Sequence, residues 1–527
     1  MVRVMTTLAT LGVIGALTGA YLMRRAAQLE EYEKAKEATI VVVDIGSSSV
    51  RASAYVFVRG EWVAVEGSLR QQPMRALQPN GTANMSLIQA AVECVLDGTT
   101  AWLSKQKAYT VVQVGFSSFA MSLVGVNSAG SPITPVYTYA GQGADEAREL
   151  SDVLAKGGLD AEIYDRTGAP LHPAYAAPQL LRRHRSEHVP VHKWQSVVGV
   201  LLRAWTTATG PLPMSYSEAS WTGLLDFRSG TWNQKLLELS LTDPATMPPV
   251  QDPSTPVGHL NASYARRWPL LGDATFFLAF GDGAVANVGA KCTDPSRVCL
   301  TIGTSAAMRV LLPLSKLQKV PRGLWCYRVD ATHVLLGGAL TDGGSLYAWA
   351  QQTLTLPPDA VRQLTAMPPA SHGLTMLPFL HGERAPGWHP KAACTISGIT
   401  SATTPVHLLR ATFEAVALRL AAIYSLLALV AAQDATIVAS GTALTSSALW
   451  RQMIADAIGR KVELETDAVE TTSRGVAILL GAYTGKGSVA LPLSTARVTA
   501  QPSLPAHAAY LAAREAQEAL YQNLYHK

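Results

Sequence analysis

A chain of 527 residues is long enough for two large domains, each with its own core. With 48% apolar and 15% charged residues it is globular rather than disordered, and its formal net charge of +5 is too diffuse for nucleic acid, with no basic stripe and no interleaved aromatics. The five cysteines, Cys94, Cys292, Cys299, Cys326 and Cys394, show no CxxC spacing, so they read as reduced thiols in a cytosol-like space rather than a disulfide framework or a metal site.

The first element is apolar. Val4–Met23 carries no charge and meets the ~20 residues that a bilayer-spanning helix requires. Arg24, Arg25, Lys34 and Lys36 follow it and only Arg3 precedes it, which favours a membrane anchor through residues 4–23 with the body on the cytosolic side. A cleaved signal peptide and an organelle presequence remain open readings, because no acidic residue occurs before Glu30. Residues 1–38 are thus an anchor or targeting segment, ending in a charged linker, Glu30–Ala38, expected to be helical.

A first lobe, 39–290, opens with a strand at Ile40–Asp44 and an alternating strand at Val50–Val58, with Trp62–Glu66 continuing the β pattern. Ser86–Lys105 has helical periodicity, Val111–Ser117 reads as a buried strand, and Ala144–Ala155 and Ala177–Arg185 read as helices. Phe276–Gly281 is an apolar strand running into Gly281-Asp282-Gly283-Ala284. A second lobe, 291–490, has strands at Val298–Ile302, Val334–Gly337 and Thr436–Ala439, and helices at Asp342–Gln352, Pro405–Ala432 and Ala448–Gly459. Residues 491–527 form a loop and a closing helix. This alternation argues for α/β lobes with mixed sheets.

Two stretches are versions of each other. Val41-Val-Val-Asp44-Ile-Gly46-Ser47-Ser48 and Val298-Cys-Leu-Thr301-Ile-Gly303-Thr304-Ser305 both drive an apolar strand into a turn of small residues. Their separation exceeds the ~20–50-residue period of solenoids and indicates a duplicated domain. Backbone N–H groups in such turns approach phosphate closely, so two facing turns make a nucleotide clamp. Asp44, where strand meets turn, can reach a metal-bound phosphate, and Mg²⁺ needs only one or two carboxylates beside the nucleotide oxygens. Asp282 between two glycines is the natural general base for a sugar hydroxyl. Gly481-Ala-Tyr-Thr-Gly485-Lys486-Gly487 has the wrong spacing for a P-loop, and no GxGxxG opens a βαβ unit.

On these motifs the chain resembles the FGGY carbohydrate kinases, and within them the gluconokinase-like branch, from Val41 to Leu524. Asp44-Ile-Gly-Ser-Ser-Ser-Val-Arg51 looks like the first phosphate motif and Thr301-Ile-Gly-Thr-Ser305 the second. Phe280–Gly289 is similar to the segment carrying the catalytic aspartate, while Leu377–Trp388 and Trp450–Asp456 resemble the two second-lobe signatures. The resemblance implies two ribonuclease H-like, actin-like ATPase lobes with ATP and sugar in the cleft between them. Asp282 would be the base and Asp44 would hold Mg²⁺ through water. Gly46, Ser47, Ser48, Ser49, Arg51, Gly303, Thr304 and Ser305 would surround the phosphates, and Gly441 and Thr442 the adenosine. Thr442 replaces the second glycine usual in that segment.

The sugar side departs from the family. Relatives read Trp-x-Asp-x-Arg where this chain reads Tyr139-Ala-Gly-Gln142-Gly143, so an aspartate and an arginine are missing. Phe119-Ala-Met-Ser122 offers small or apolar groups where relatives place glutamine or histidine, and Gln179 stands where the gluconokinase-like group often has lysine. Candidate substrate contacts are therefore Ser118, Tyr139, Gln142, Gln179, Glu383 and Arg384. The expected activity is ATP-dependent phosphorylation of a hydroxyl on a sugar, polyol or sugar acid, gluconate-like by resemblance but altered in specificity. The alternative is a membrane-tethered, non-catalytic nucleotide-binding scaffold or sensor on the same fold.

Overall fold

The computed structural model describes residues 37–187, 189–465, 470–489 and 498–525. The expected anchor, Val4–Met23, lies outside these residues, as does the linker up to Lys36; among the described residues no helix is long and apolar enough to cross a membrane. The end of the linker is not helical as expected. Glu37 and Ala38 open strand β1 (Glu37–Ile45), drawn into a parallel ladder with Tyr109 and Thr110.

The first lobe is a seven-stranded sheet. β1 pairs antiparallel with β2 (Ser49–Val58), which pairs antiparallel with β3 (Glu61–Ala64). On its other side β1 runs parallel to β4 (Tyr109–Ser118), and β4 parallel to β5 (Thr275–Gly281). β1 and β5 are buried along nearly their whole length, as central parallel strands with both faces covered must be. Helix α1 (Met85–Gln106) starts where the Asn84 side chain accepts the Leu87 N–H, and it buries Ile88, Val92, Val95 and Leu96 against this sheet's core.

The second lobe repeats the plan. β6 (Arg297–Ile302) pairs antiparallel with β7 (Ala306–Pro313), and β7 with β8 (His333–Leu340). β6 runs parallel to β9 (Thr436–Ser440), and β9 to β10 (Val462–Leu464). The order β5-β4-β1-β2-β3 therefore matches β10-β9-β6-β7-β8 strand for strand and direction for direction, which is the duplication expected from the paired turns. Even the antiparallel edge strands match, Pro256–Gly258 beside β5 and Val498–Ala500 beside β10.

The helices that follow β5 and β10 join the two halves. α2 (Asp282–Gly289) leaves β5 directly. α3 (Pro405–Leu427), stopped five residues short of its expected end, fills the second lobe's core, and α4 (Thr471–Tyr483) comes after β10 in the chain. Yet α4 packs on the first lobe: Val476, Ala477 and Leu480 share a core with Ile40, Val42 and Phe280. The two helices cross where a Cβ on Gly289 would lie 1.8 Å from the Thr471 carbonyl oxygen, and one on Gly475 1.9 Å from that of Val285. Both obstacles are backbone, so no rotamer change relieves them. The closing helix α5 (Leu504–Tyr525) lies against the second lobe through Tyr510, Gln517 and Tyr521.

Gly475→Ala is expected to lower unfolding free energy by at least the ~1–3 kcal/mol typical of overpacking, measured by urea denaturation. The same substitution is expected to reduce turnover, because it pushes α2 and Asp282 away from the cleft. An alanine variant with unchanged stability would show that the crossing is not close.

Candidate active site

Both small-residue turns open onto one cavity of about 600 Å³ between the lobes, Ser47 and Ser48 from the first and Thr304 and Ser305 from the second. Each turn is closed by its glycine amide but with a different span, the Gly46 N–H donating to the Ser49 carbonyl three residues on at 3.0 Å and the Gly303 N–H to the Ser305 carbonyl two residues on at 2.9 Å. Thr304 and Gly303 also line a second cavity of about 790 Å³, with Ser345, Tyr347, Ala443 and Ser446 on its walls. Gly441 sits beside this region at φ +95°, where a Cβ would stand 2.5 Å from the Ile302 carbonyl oxygen. Thr442 begins the short helix Thr442–Ser446 that follows.

Strand register delivers the first acid. Asp44 lies opposite Arg51 across the antiparallel ladder and opposite Ser117 across the parallel one. The Ser117 hydroxyl donates to Asp44 Oδ1, and Arg51 Nη1 stands 3.5 Å from Oδ2. Burial nevertheless pushes the Asp44 carboxyl up from the usual range, against the pull of Ser117 and Arg51. Arg51 Nε also stands 3.7 Å from Oε1 of Glu470, at the head of α4. In the second lobe Thr301 holds the position of Asp44 and Ser440 that of Ser117, their hydroxyls 3.2 Å apart. Only one copy of the duplicated turn is acidic.

Asp282 heads α2 where β5 ends at the cavity wall, and the Gly283 N–H donates to its Oδ1 at 2.6 Å. Loss of water pushes its pKa up to about 6; the Arg309 guanidinium opposes that shift and the neighbouring Asp44 charge adds to it. A carboxyl poised near neutrality, in a cleft and next to a second acid, is what general-base work requires.

The rest of the cavity is aromatic and drawn from both lobes: Tyr139, Tyr175 and Trp221 from the first, Trp325, Tyr327 and Trp388 from the second. The Tyr175 and Tyr327 hydroxyls are 2.6 Å apart, and desolvation pushes both phenols well up, so the pair stays protonated. Arg384 lies over the Tyr139 ring, its Cζ 5.4 Å from the centroid. His172, edge-on to Trp388, is pushed down to about 3 by desolvation and then by Arg384, and it is neutral at physiological pH.

Residues 39–289 match the N-terminal domain of the FGGY family of carbohydrate kinases, and residues 298–484 match its C-terminal domain. The chain belongs to the FGGY family of carbohydrate kinases. It is a phosphotransferase with an alcohol group as acceptor, and membership implies ATP as donor. The gluconokinase of Bacillus subtilis (strain 168) is 25% identical over 406 residues, 74% of this chain and 77% of that protein. A glycerol kinase of Trichlorobacter lovleyi is 29% identical over 348 residues, 63% of this chain and 68% of that one. In fold the chain is similar to the ligand-bound xylulose kinase of Lactobacillus acidophilus, with a TM-score of 0.81 at 24% identity over 92% of this chain and 98% of that chain.

Among the expected substrate contacts of this FGGY kinase, Tyr139 and Arg384 line the cavity and four others do not. The Ser118 hydroxyl is buried at the end of β4 and donates to Ser122 Oγ at 3.3 Å. Gln142 is exposed outside the cavity wall. Gln179 is buried and spends its amide on the Thr138 and Pro173 carbonyls, at 2.9 and 2.6 Å. Glu383 is buried between Arg419 and Tyr521, whose hydroxyl donates to Oε2 at 2.5 Å; a carboxylate this deep needs such partners, which turns it away from the cleft.

Arg309, Ser117, Glu470 and most of the aromatic wall were not among the expected residues. Arg309 carries a signal, as the one polar side chain in Ala306–Pro313. The aromatics carry none, being scattered through segments with no shared motif. Arg419→Met is expected to cost ~3–5 kcal/mol of stability by leaving the Glu383 charge buried and unpaired. Steady-state constants of the folded fraction should stay within a few-fold, and a selective loss of substrate affinity would return Glu383 to the site.

Proposed function

We propose that this kinase transfers the γ-phosphate of ATP to a hydroxyl of a sugar, polyol or sugar acid, with Asp282 as general base. The observation that carries the reading is the meeting of Asp282 and the two small-residue turns in one cleft, with the buried Asp44 close enough for its charge to act on Asp282. Gluconate is the acceptor suggested by the gluconokinase relatives, and the rewritten 139–143 segment argues that recognition has changed.

Asp282 takes the proton of the attacking hydroxyl at a carboxylate oxygen; its pKa of about 6 leaves it ionised at pH 7 yet basic enough to share a proton in a loose, dissociative transition state. The turns at Ser47–Ser48 and Thr304–Ser305 hold the phosphates, and Arg309 spreads positive charge beside them. A divalent ion fits this donor set. Asp44 and Asp282 repel one another at short range, and Arg51 and Arg309 are each divided between an acid and another partner. Asp44, through water, is the residue that would hold Mg²⁺, and the ion would supply charge neutralisation at the phosphate oxygens. Closing the lobes over the aromatic wall excludes water, which limits ATP hydrolysis before the acceptor is in place.

Asp282→Asn in the full chain is expected to lower acceptor-dependent ADP release by about 100- to 10,000-fold while ATP binding persists. Its melting temperature should not fall, since an ionised carboxylate held above its usual pKa opposes folding at neutral pH. In the wild type, kcat/KM should rise about tenfold per unit of pH below about 6 and level off above it, as Asp282 loses its proton. Wild-type-like turnover in the asparagine variant would remove Asp282 as base.

A further inference from the structure

Three guanidinium groups line the inter-lobe cavity: Arg309, Arg328 and Arg384. Two of them have acceptors in the protein. Arg328 donates to the Phe227, Asp330 and Ala331 carbonyls, and Arg309 reaches Thr301 and feels the Asp282 carboxylate. Arg384 is different. Its side chain has no ion pair and no hydrogen-bond acceptor among the described residues, and its one defined contact is the face of Tyr139.

Its surroundings offer no charge to answer it. His172 is buried and neutral, the Tyr175 and Tyr327 hydroxyls are bonded to one another, and Glu383 next in sequence is turned away into Arg419 and Tyr521. The facing segment, Tyr139 to Gly143, contains no acid. A guanidinium carries five donors in a planar fork and is never deprotonated, so a half-buried one without an acceptor is a site waiting for an anion. The cation–π contact with Tyr139 restrains the guanidinium, so less entropy is lost when the anion arrives.

We propose that Arg384, held on the Tyr139 ring, is the specificity-determining residue that reads an anionic group, carboxylate or phosphate ester, on the acceptor carbohydrate. The inference rests on the kinase reading above and narrows it to acidic acceptors. Arg384 belongs to the second lobe and Tyr139 to the first, so an anion bound there touches both sides of the cleft.

The test follows ADP release by the full chain with matched six-carbon acceptors: gluconate, glucose, sorbitol and glucose 6-phosphate. Arg384→Met, Arg384→Lys and Tyr139→Leu are compared with the wild type, and melting temperatures confirm folding. The expected result is an anionic acceptor preferred over its neutral counterparts, with gluconate and the phosphate ester distinguishing the two anion sources. Arg384→Met should raise KM for that acceptor at least ~30-fold, leave KM for ATP unchanged and raise KM for neutral acceptors far less. Arg384→Lys should recover part of the loss, because it restores charge without the fork.

Binding is read separately from turnover by calorimetry of the two anions on Asp282→Asn, alone and combined with Arg384→Met. If no acceptor is phosphorylated but an anion binds only while Arg384 is present, the inference stands and the kinase reading falls. A neutral acceptor as best substrate, or a rise in KM for ATP in Arg384→Met, would overturn the inference.

Discussion

The crossing of α2 and α4 is the constraint from which the catalytic geometry descends. Each lobe sends the helix that follows its last parallel strand toward the partner lobe, and the two meet backbone to backbone at Gly289 and Gly475. Because α2 begins at Asp282 and α4 follows immediately on Glu470, this contact fixes the heads of both helices at the cleft. Asp282 then faces Arg309 of β7, while Glu470 reaches Arg51 of β2. The two lobes are thereby pinned at the base of the cleft, and Tyr175 with Tyr327 and Tyr139 with Arg384 bridge them along its wall.

Around that pivot, duplication supplies symmetry and a few substitutions break it. Both turns are closed by a bond from their glycine amide, and near the end of both preceding strands the side chains of a parallel pair touch. In one copy that pair is Asp44 with Ser117, in the other Thr301 with Ser440. Desolvation holds Asp44 and Asp282 above their usual pKa values, and the arginines at hand only partly offset it. On the kinase reading proposed above, a cation accompanying the nucleotide would offset the charge of this acidic pair. The symmetric framework supplies the small-residue turn twice, and a carboxylate stands beside it in only one copy.

What could be read from the sequence follows from how local each signal is. β1, β4, β5, β6 and β9 are short apolar runs ended by turn residues, so both sheets were visible before any tertiary contact was known. The paired Ile-Gly-Ser/Thr-Ser turns exposed the duplication because their chemistry is contiguous. α4 was not visible. It is buried on nearly every side and so lacks a polar stripe, and its Gly475 and Gly481 look like breakers until Gly289 and Trp62 are found against them. Of the aromatic wall only Tyr139 is legible, through its motif position; Tyr175, Trp325 and Trp388 join it only when the lobes are placed face to face. Glu383 misled for the opposite reason: adjacent to Arg384 in sequence, it points into the protein because a buried arginine on α3 lies behind it.

On the sugar side, two of those sequence departures lie against one another. A Cβ on Gly141 would lie 2.3 Å from the Gln179 amide, so the two positions share one volume. The resemblance leads one to expect an aspartate at 141, as a substrate contact, and often a lysine at 179. Here Gln179 fills the space beside Gly141 while bonding the Thr138 and Pro173 carbonyls. This packed, hydrogen-bonded brace supports the loop that presents Tyr139 to the cleft.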